Sequence, residues 1–126
     1  MAVLKNAKKV LIVDDEKAIS KALSLKLTNS GFIVDSAGDG AEAVAKIKAE
    51  KFDLVILDLI MPGDDGFSVL EYLYKEKIKP PVIIASNLSQ SEDINKAKAL
   101  GAVDYFIKSN VTLADIISNI KKILKV

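Results

Sequence analysis

Three aspartates, a serine and a lysine sit where short apolar runs stop. Asp14 and Asp15 follow Val10-Leu11-Ile12-Val13, and Asp58 follows Leu54-Val55-Ile56-Leu57. Ser86 ends the run that begins at Pro81, and Lys108 ends the run that begins at Val103. Carboxylates brought together repel, and each is driven toward protonation. A divalent cation removes that cost. An all-oxygen donor set selects Mg2+ or a similar hard ion, which keeps waters and open positions for phosphate oxygens. A carboxylate in such a site can act as a nucleophile and form an aspartyl phosphate. A phosphoryl group in flight spreads charge over its oxygens, and the ion, the Lys108 ammonium and the Ser86 hydroxyl are suited to meet it.

Each residue also has a plain structural reading. Asp-Asp before a helix serves as N-cap and first-turn acid. Asp58 alone reads as a strand end, Lys108 as a solvated terminus and Ser86 as a turn residue. Asp64 and Asp65 read as a loop charge and an N-cap for a helix after Gly66. The functional reading rests on the first group meeting at one edge of one sheet.

The composition narrows the chemistry. There is no Cys and no His among the 126 residues. Disulfides, thiol nucleophiles, nitrogen- or sulfur-ligated zinc and a Ser-His triad are therefore excluded. All 18 basic residues are Lys, so bidentate Arg clamps and Arg-mediated pairing of subunits are excluded too. Half the residues are apolar and the net charge is only +1, which argues for a folded chain without a general nucleic-acid or membrane surface. No apolar run approaches the roughly 20 residues of a membrane span. The N-terminal MAVLKNAKK has too short an apolar stretch for a signal peptide, and a cytoplasmic location is expected.

Five strand-like runs begin near Lys9, Phe32, Asp53, Pro81 and Val103. Helical stripes alternate with them: Ile19, Ala22, Leu23 and Leu27; Ala43, Val44 and Ile47; Phe67, Leu70, Leu73 and Tyr74; Ile94, Ala97 and Leu100; and Leu113, Ile116, Ile117, Ile120 and Leu124. Ser89 and Glu92 stand at capping-box spacing before the fourth. Gly31 and Gly101 fall where a helix end takes a left-handed residue. Five alternating βα units predict an α/β fold, a flavodoxin-like doubly wound (βα)5 domain with a five-stranded parallel sheet of order 2-1-3-4-5. In that order the first and third strands meet at the switch point, where such sheets bind ligands. Asp14, Asp15 and Asp58 would share one pocket, with Ser86 and Lys108 beside it. One domain, residues 1–126, is expected.

The motifs "VLIVDDE", "DLVILDLIMPGDDGF", "IIAS" and "GAVDYFIK" resemble the receiver domain of two-component response regulators, from Val10 to the last helix. The resemblance implies that Asp58 accepts a phosphoryl group from a histidine kinase or phosphotransfer protein. It implies a Mg2+ site with Asp15 as direct ligand, Asp14 acting through water, and Asp58 and the Ile60 carbonyl completing the protein's share. Ser86 and Tyr105 would be the switch pair: the hydroxyl moves to the phosphoryl group, the ring turns inward, and the surface of helix 4, strand 5 and helix 5 changes for an unknown output protein. A free-standing, chemotaxis-regulator-like receiver is expected, as a phosphorelay or motility component, with a receiver excised from a longer regulator as the other possibility. A monomer or weak dimer without direct nucleic-acid binding is implied.

The chain departs from that pattern at several positions. Pro usually follows the lysine; here Ser109 does. A cis bond before a non-proline residue costs about 3 kcal/mol, which leaves a trans bond with a rebuilt loop or a retained cis bond. The residue after the switch hydroxyl is usually small; here it is Asn87. Residues two past Asp58 and two past Ser86, which help place the hydrolytic water in relatives, are the apolar Ile60 and Leu88. Slow self-dephosphorylation is therefore expected, of a protein that catalyses its own phosphorylation without being a turnover enzyme. Two alternatives stand beside the switch: a pseudo-receiver that acts as a constitutive binding module, and a Mg2+-dependent phosphohydrolase. The second would want another acid-base carboxylate where Ile60 lies, and a capping insertion. Lys121, Lys122 and Lys125 form either a solvated face or a partner contact.

Overall fold

The computed structural model describes residues 7–61, 66–78, 80–88 and 90–126. Strands β1 (Lys9–Val13), β2 (Ile33–Ala37), β3 (Leu54–Leu57), β4 (Val82–Ser86) and β5 (Ala102–Ile107) alternate with helices α1 (Lys17–Asn29), α2 (Gly40–Ala49), α3 (Gly66–Lys75), α4 (Ser91–Ala99) and α5 (Leu113–Leu124). The strands pair in parallel in the order β2-β1-β3-β4-β5, as the sequence pattern predicts.

The period-2 alternation of the strands sorts the core into two layers. Leu11, Val13, Val55, Leu57 and Ile84 point to one face, where Ala43 and Ile47 of α2, Val69, Leu70 and Leu73 of α3 and Ala97 of α4 cover them. Val10, Ile12, Leu54, Ile56 and Ile83 point to the other, under Leu23 and Leu27 of α1 and Ile116, Ile117 and Ile120 of α5. β3 is buried along its whole length, which is why its sequence is an unbroken apolar run.

The helix stripes are close to those expected, with two exceptions. Tyr74 is 60% exposed, and Val69 fills the core position instead. Ala22 is exposed, because α1 meets the sheet along the narrower line of Leu23 and Leu27. Gly31 and Gly101 adopt φ of 95° and 100°, in the left-handed region that ends α1 and α4. The Ser89 cap, the turn at Pro62-Gly63 and the roles of Asp64 and Asp65 lie outside the described residues. α4 begins at Ser91 with Gln90 in the cap position and no side-chain cap bond. α5 has a full capping box, in which Thr112 and Asp115 bond each other's backbone N–H. No helix among the described residues is long and apolar enough to cross a membrane.

Candidate functional site

Register brings the carboxylates together. Val13 pairs with Leu57 at the last rung between β1 and β3, so Asp14 and Asp58 leave the sheet side by side. Their own amides extend the ladder: Asp58 N–H donates to the Val13 carbonyl (2.9 Å), and Asp14 N–H to the Ala37 carbonyl (3.0 Å). Lys108 follows the last residue of β5 and opens a 3-10 turn, Lys108–Asn110, instead of ending the strand. The Lys108–Ser109 bond is trans, and the loop is built as this turn.

The ammonium of Lys108 contacts Asp14 Oδ2 at 2.7 Å, Glu16 Oε1 at 2.8 Å and Asp58 Oδ2 at 2.9 Å. The remaining oxygens of the two aspartates are also engaged. Asp14 Oδ1 accepts from the Glu16 N–H (2.9 Å), and Asp58 Oδ1 accepts from the Ile60 N–H (3.1 Å). The side chains of Asp14, Asp58 and Lys108 are only 7%, 4% and 9% exposed. Burial pushes the Asp14 carboxyl above the usual carboxylate range, against the pull of Lys108. For Lys108, burial alone would lower the ammonium, but its hydrogen bonds to Asp14, Glu16 and Asp58 outweigh burial and hold it well above an ordinary lysine.

Glu16 is the carboxylate that sequence reasoning missed. It occupies the N-cap position of α1 yet makes no side-chain cap bond, because its carboxylate turns to Lys108. The N-cap reading of the Asp pair is not realised either, since Asp14 is spent on Lys108 and the Glu16 amide. Oxygens of Asp14, Glu16 and Asp58 lie within 4.8 Å of one another. Asp15 stands outside that group but lines the same cavity, about 250 Å3, with Glu16, Asp58, Ile60, Asn87 and Lys108. Asp14, Glu16 and Asp58 face the Lys108 ammonium, and the chain has no His or Cys to add a ligand. Such a set fits a hard divalent cation.

Ser86 is fully buried, and its hydroxyl accepts the Leu88 N–H (3.3 Å). Tyr105 lies half-buried against the α2–α3–α4 layer, and its hydroxyl donates to the Leu88 carbonyl (2.7 Å). Burial raises its phenol, with the charges of Asp93 and Asp58 adding to the effect. Both members of the expected pair thus hold the same residue of the β4–α4 loop.

Gly66, the first residue of α3, is a second feature the sequence reading passed over. Its N–H donates to the Leu59 carbonyl (2.9 Å). A Cβ there would overlap the Asp58 carbonyl oxygen and stand 2.8 Å from Leu59 Cα. Gly66→Ala must push α3 away from the backbone that carries Asp58. We expect a loss of about 1–3 kcal/mol in urea unfolding, the range for an overpacked site; an unchanged midpoint would show that the helix yields freely.

The profile of the response regulator receiver domain matches residues 10–121. The chain is 39% identical over 101 residues to the alkaline phosphatase synthesis transcriptional regulatory protein PhoP of Bacillus subtilis, covering 80% of this chain and 42% of PhoP. It spans about two fifths of the length of the first curated relatives it matches. Among solved structures, a CheY-like receiver domain protein of Methanospirillum hungatei superposes with a TM-score of 0.90 at 30% identity, over 95% of each chain. Response regulator TrrA of Thermotoga maritima, solved in complex with Mg(2+)-BeF, superposes with a TM-score of 0.79 at 31% identity, over 91% of this chain and 97% of that one. With a matched profile across most of its length and the strand order in place, the chain belongs to the response regulator receiver domains.

Proposed function

We propose that the chain is a phosphoaccepting signalling switch. The observation that carries this reading is the placement of Asp58. It is a buried carboxylate at the end of the central strand, facing a cavity and held 2.9 Å from the Lys108 ammonium. An Asp58 carboxylate oxygen attacks the phosphorus of a phosphohistidine on a histidine kinase or phosphotransfer protein, and the P–N bond breaks. Lys108 meets the charge on the transferring oxygens. Asp14, Asp15 and Asp58, with the Ile60 carbonyl, would hold Mg2+, which offsets carboxylate repulsion and binds phosphate oxygens. Glu16 is a further oxygen donor within reach of that set.

Ser86 and Tyr105 convert the charge into a surface change. Drawing the Ser86 hydroxyl to the phosphoryl group takes it from the Leu88 amide, while Tyr105 holds the Leu88 carbonyl. The β4–α4 loop is then biased between two arrangements, and the α4–β5–α5 surface is read by an output protein. Family membership does not favour the constitutive-module or phosphohydrolase alternatives.

Intact mass after incubation with Mg2+ and acetyl phosphate tests this. We expect a gain of one phosphoryl group that a chelator prevents. Because Ile60 and Leu88 offer no side-chain polar group to place a water, the gain should decay slowly after donor removal. No gain would overturn the phosphoacceptor reading; loss within seconds would overturn the slow decay.

A further inference from the structure

Two departures from the receiver pattern, Asn87 and Ser109, meet in the structure. The Ser109 backbone N–H donates to Asn87 Oδ1 at 3.0 Å. Register explains the contact. Ser86 pairs with Ile107 at the last rung between β4 and β5. Beyond it the two segments part, one toward α4 and the other into the 3-10 turn. The Asn87 side chain reaches across and supplies an acceptor where the ladder has ended. A proline at position 109 would have no N–H to give, and a glycine or alanine at position 87 would have no side-chain oxygen to receive it. Each departure provides the half that the other requires.

We propose that Asn87 is a positioning residue for Lys108, holding the peptide that follows the lysine so that its ammonium stays between Asp14 and Asp58. The turn needs such a tie. Ser109 and Asn110 are exposed, and the turn has no side-chain cap of its own. Lys108 must nevertheless deliver its ammonium to three oxygens at 2.7–2.9 Å. Asn87 lines the same cavity as Asp58 and Lys108, so the latch closes beside the group it steadies. The bond fixes the turn in a trans form that needs no proline.

This inference rests on the phosphoacceptor reading for its consequence, though not for its geometry. Asn87→Ala is expected to slow phosphoryl uptake from acetyl phosphate about fivefold, as the loss of one hydrogen bond would. It should change nothing further when Lys108 is already Ala. Equal slowing in both backgrounds would overturn the proposal. A second readout needs no phosphorylation. In 1H–15N spectra of the unmodified protein, the Lys108 ammonium should give a resolved signal, protected by its three carboxylates. Asn87→Ala should broaden or shift it and speed hydrogen exchange at the Ser109 amide, with the unfolding midpoint nearly unchanged. An unaltered ammonium signal would overturn the latch. If the parent chain takes up no phosphoryl group, the phosphoacceptor reading fails, and the spectra still decide the role of Asn87.

Discussion

Asp58→Asn is expected to abolish phosphoryl uptake while leaving the fold as firm as before. The carboxamide is no nucleophile at neutral pH, so the mass gain should vanish at every donor concentration. Residual uptake would place the acceptor on another carboxylate. Stability is the less obvious half. Removing one partner of a buried ion pair costs about 3–5 kcal/mol when it strands the other charge. Lys108 is not stranded, because Asp14 and Glu16 remain at 2.7 and 2.8 Å. An Asn can give its one oxygen either to the Ile60 N–H, which reaches Asp58 at 3.1 Å, or to Lys108, and the partner that meets its NH2 instead loses about one hydrogen bond. One of three crowded negative charges disappears. The charge of Asp58 helps to raise the Asp14 carboxyl, so that group should relax toward its ordinary range. Unfolding free energy in chelator should stay within about 1 kcal/mol of the parent, the scale of a single hydrogen bond. A loss several times larger would mean that the ammonium depends on Asp58 more than its geometry indicates.

The strands were legible in the sequence for one physical reason. β1, β3 and β4 are short apolar runs closed by a polar residue, and burial on both faces demands that pattern, while the half-exposed β2 and β5 carry Asp35 and Asp104 within the run. The site was legible because the closing residues were Asp14, Asp58, Ser86 and Lys108 on runs that parallel pairing aligns at one edge. What escaped was set by geometry that the pattern does not encode. Glu16 looks like the start of a helix, and only the reach of Lys108 across the sheet draws its carboxylate to the site. Gly66 looks like a loop glycine, and only the approach of α3 to the Asp58 carbonyl shows that a side chain has no room. Tyr74 fits the helical period yet lies outside the core, because Val69 and Leu73 already fill the space beneath α3. Asn87 and Ser109 read separately as flaws, and only the register of β4 with β5 joins them.

Lys108→Met should harm stability as well as chemistry, where Asp58→Asn spares the fold. Methionine keeps much of the buried stem and removes the ammonium that contacts Asp14, Glu16 and Asp58. Two of those carboxylates are nearly buried, so their charges are left uncompensated, and a loss of about 3 kcal/mol in chelator is expected. The pH dependence follows from the sign of the Asp14 shift. A carboxyl whose folded pKa lies above its unfolded value binds more protons when folded, so stability rises as pH falls through the folded value toward 3.8. Loss of the ammonium lifts Asp14 further, and the variant should regain stability on acidification over a wider range than the parent. Mg2+ should restore it at neutral pH, because the oxygens that Lys108 contacts are those available to a cation. Uptake from acetyl phosphate should nonetheless fall about a hundredfold, the effect of deleting one preorganised charge from a phosphoryl-transfer site. Stability recovered by Mg2+ together with uptake still depressed would separate the two duties of Lys108, a structural counter-charge and a contact for the transferring group. Full recovery of uptake by Mg2+ would leave the lysine only the first.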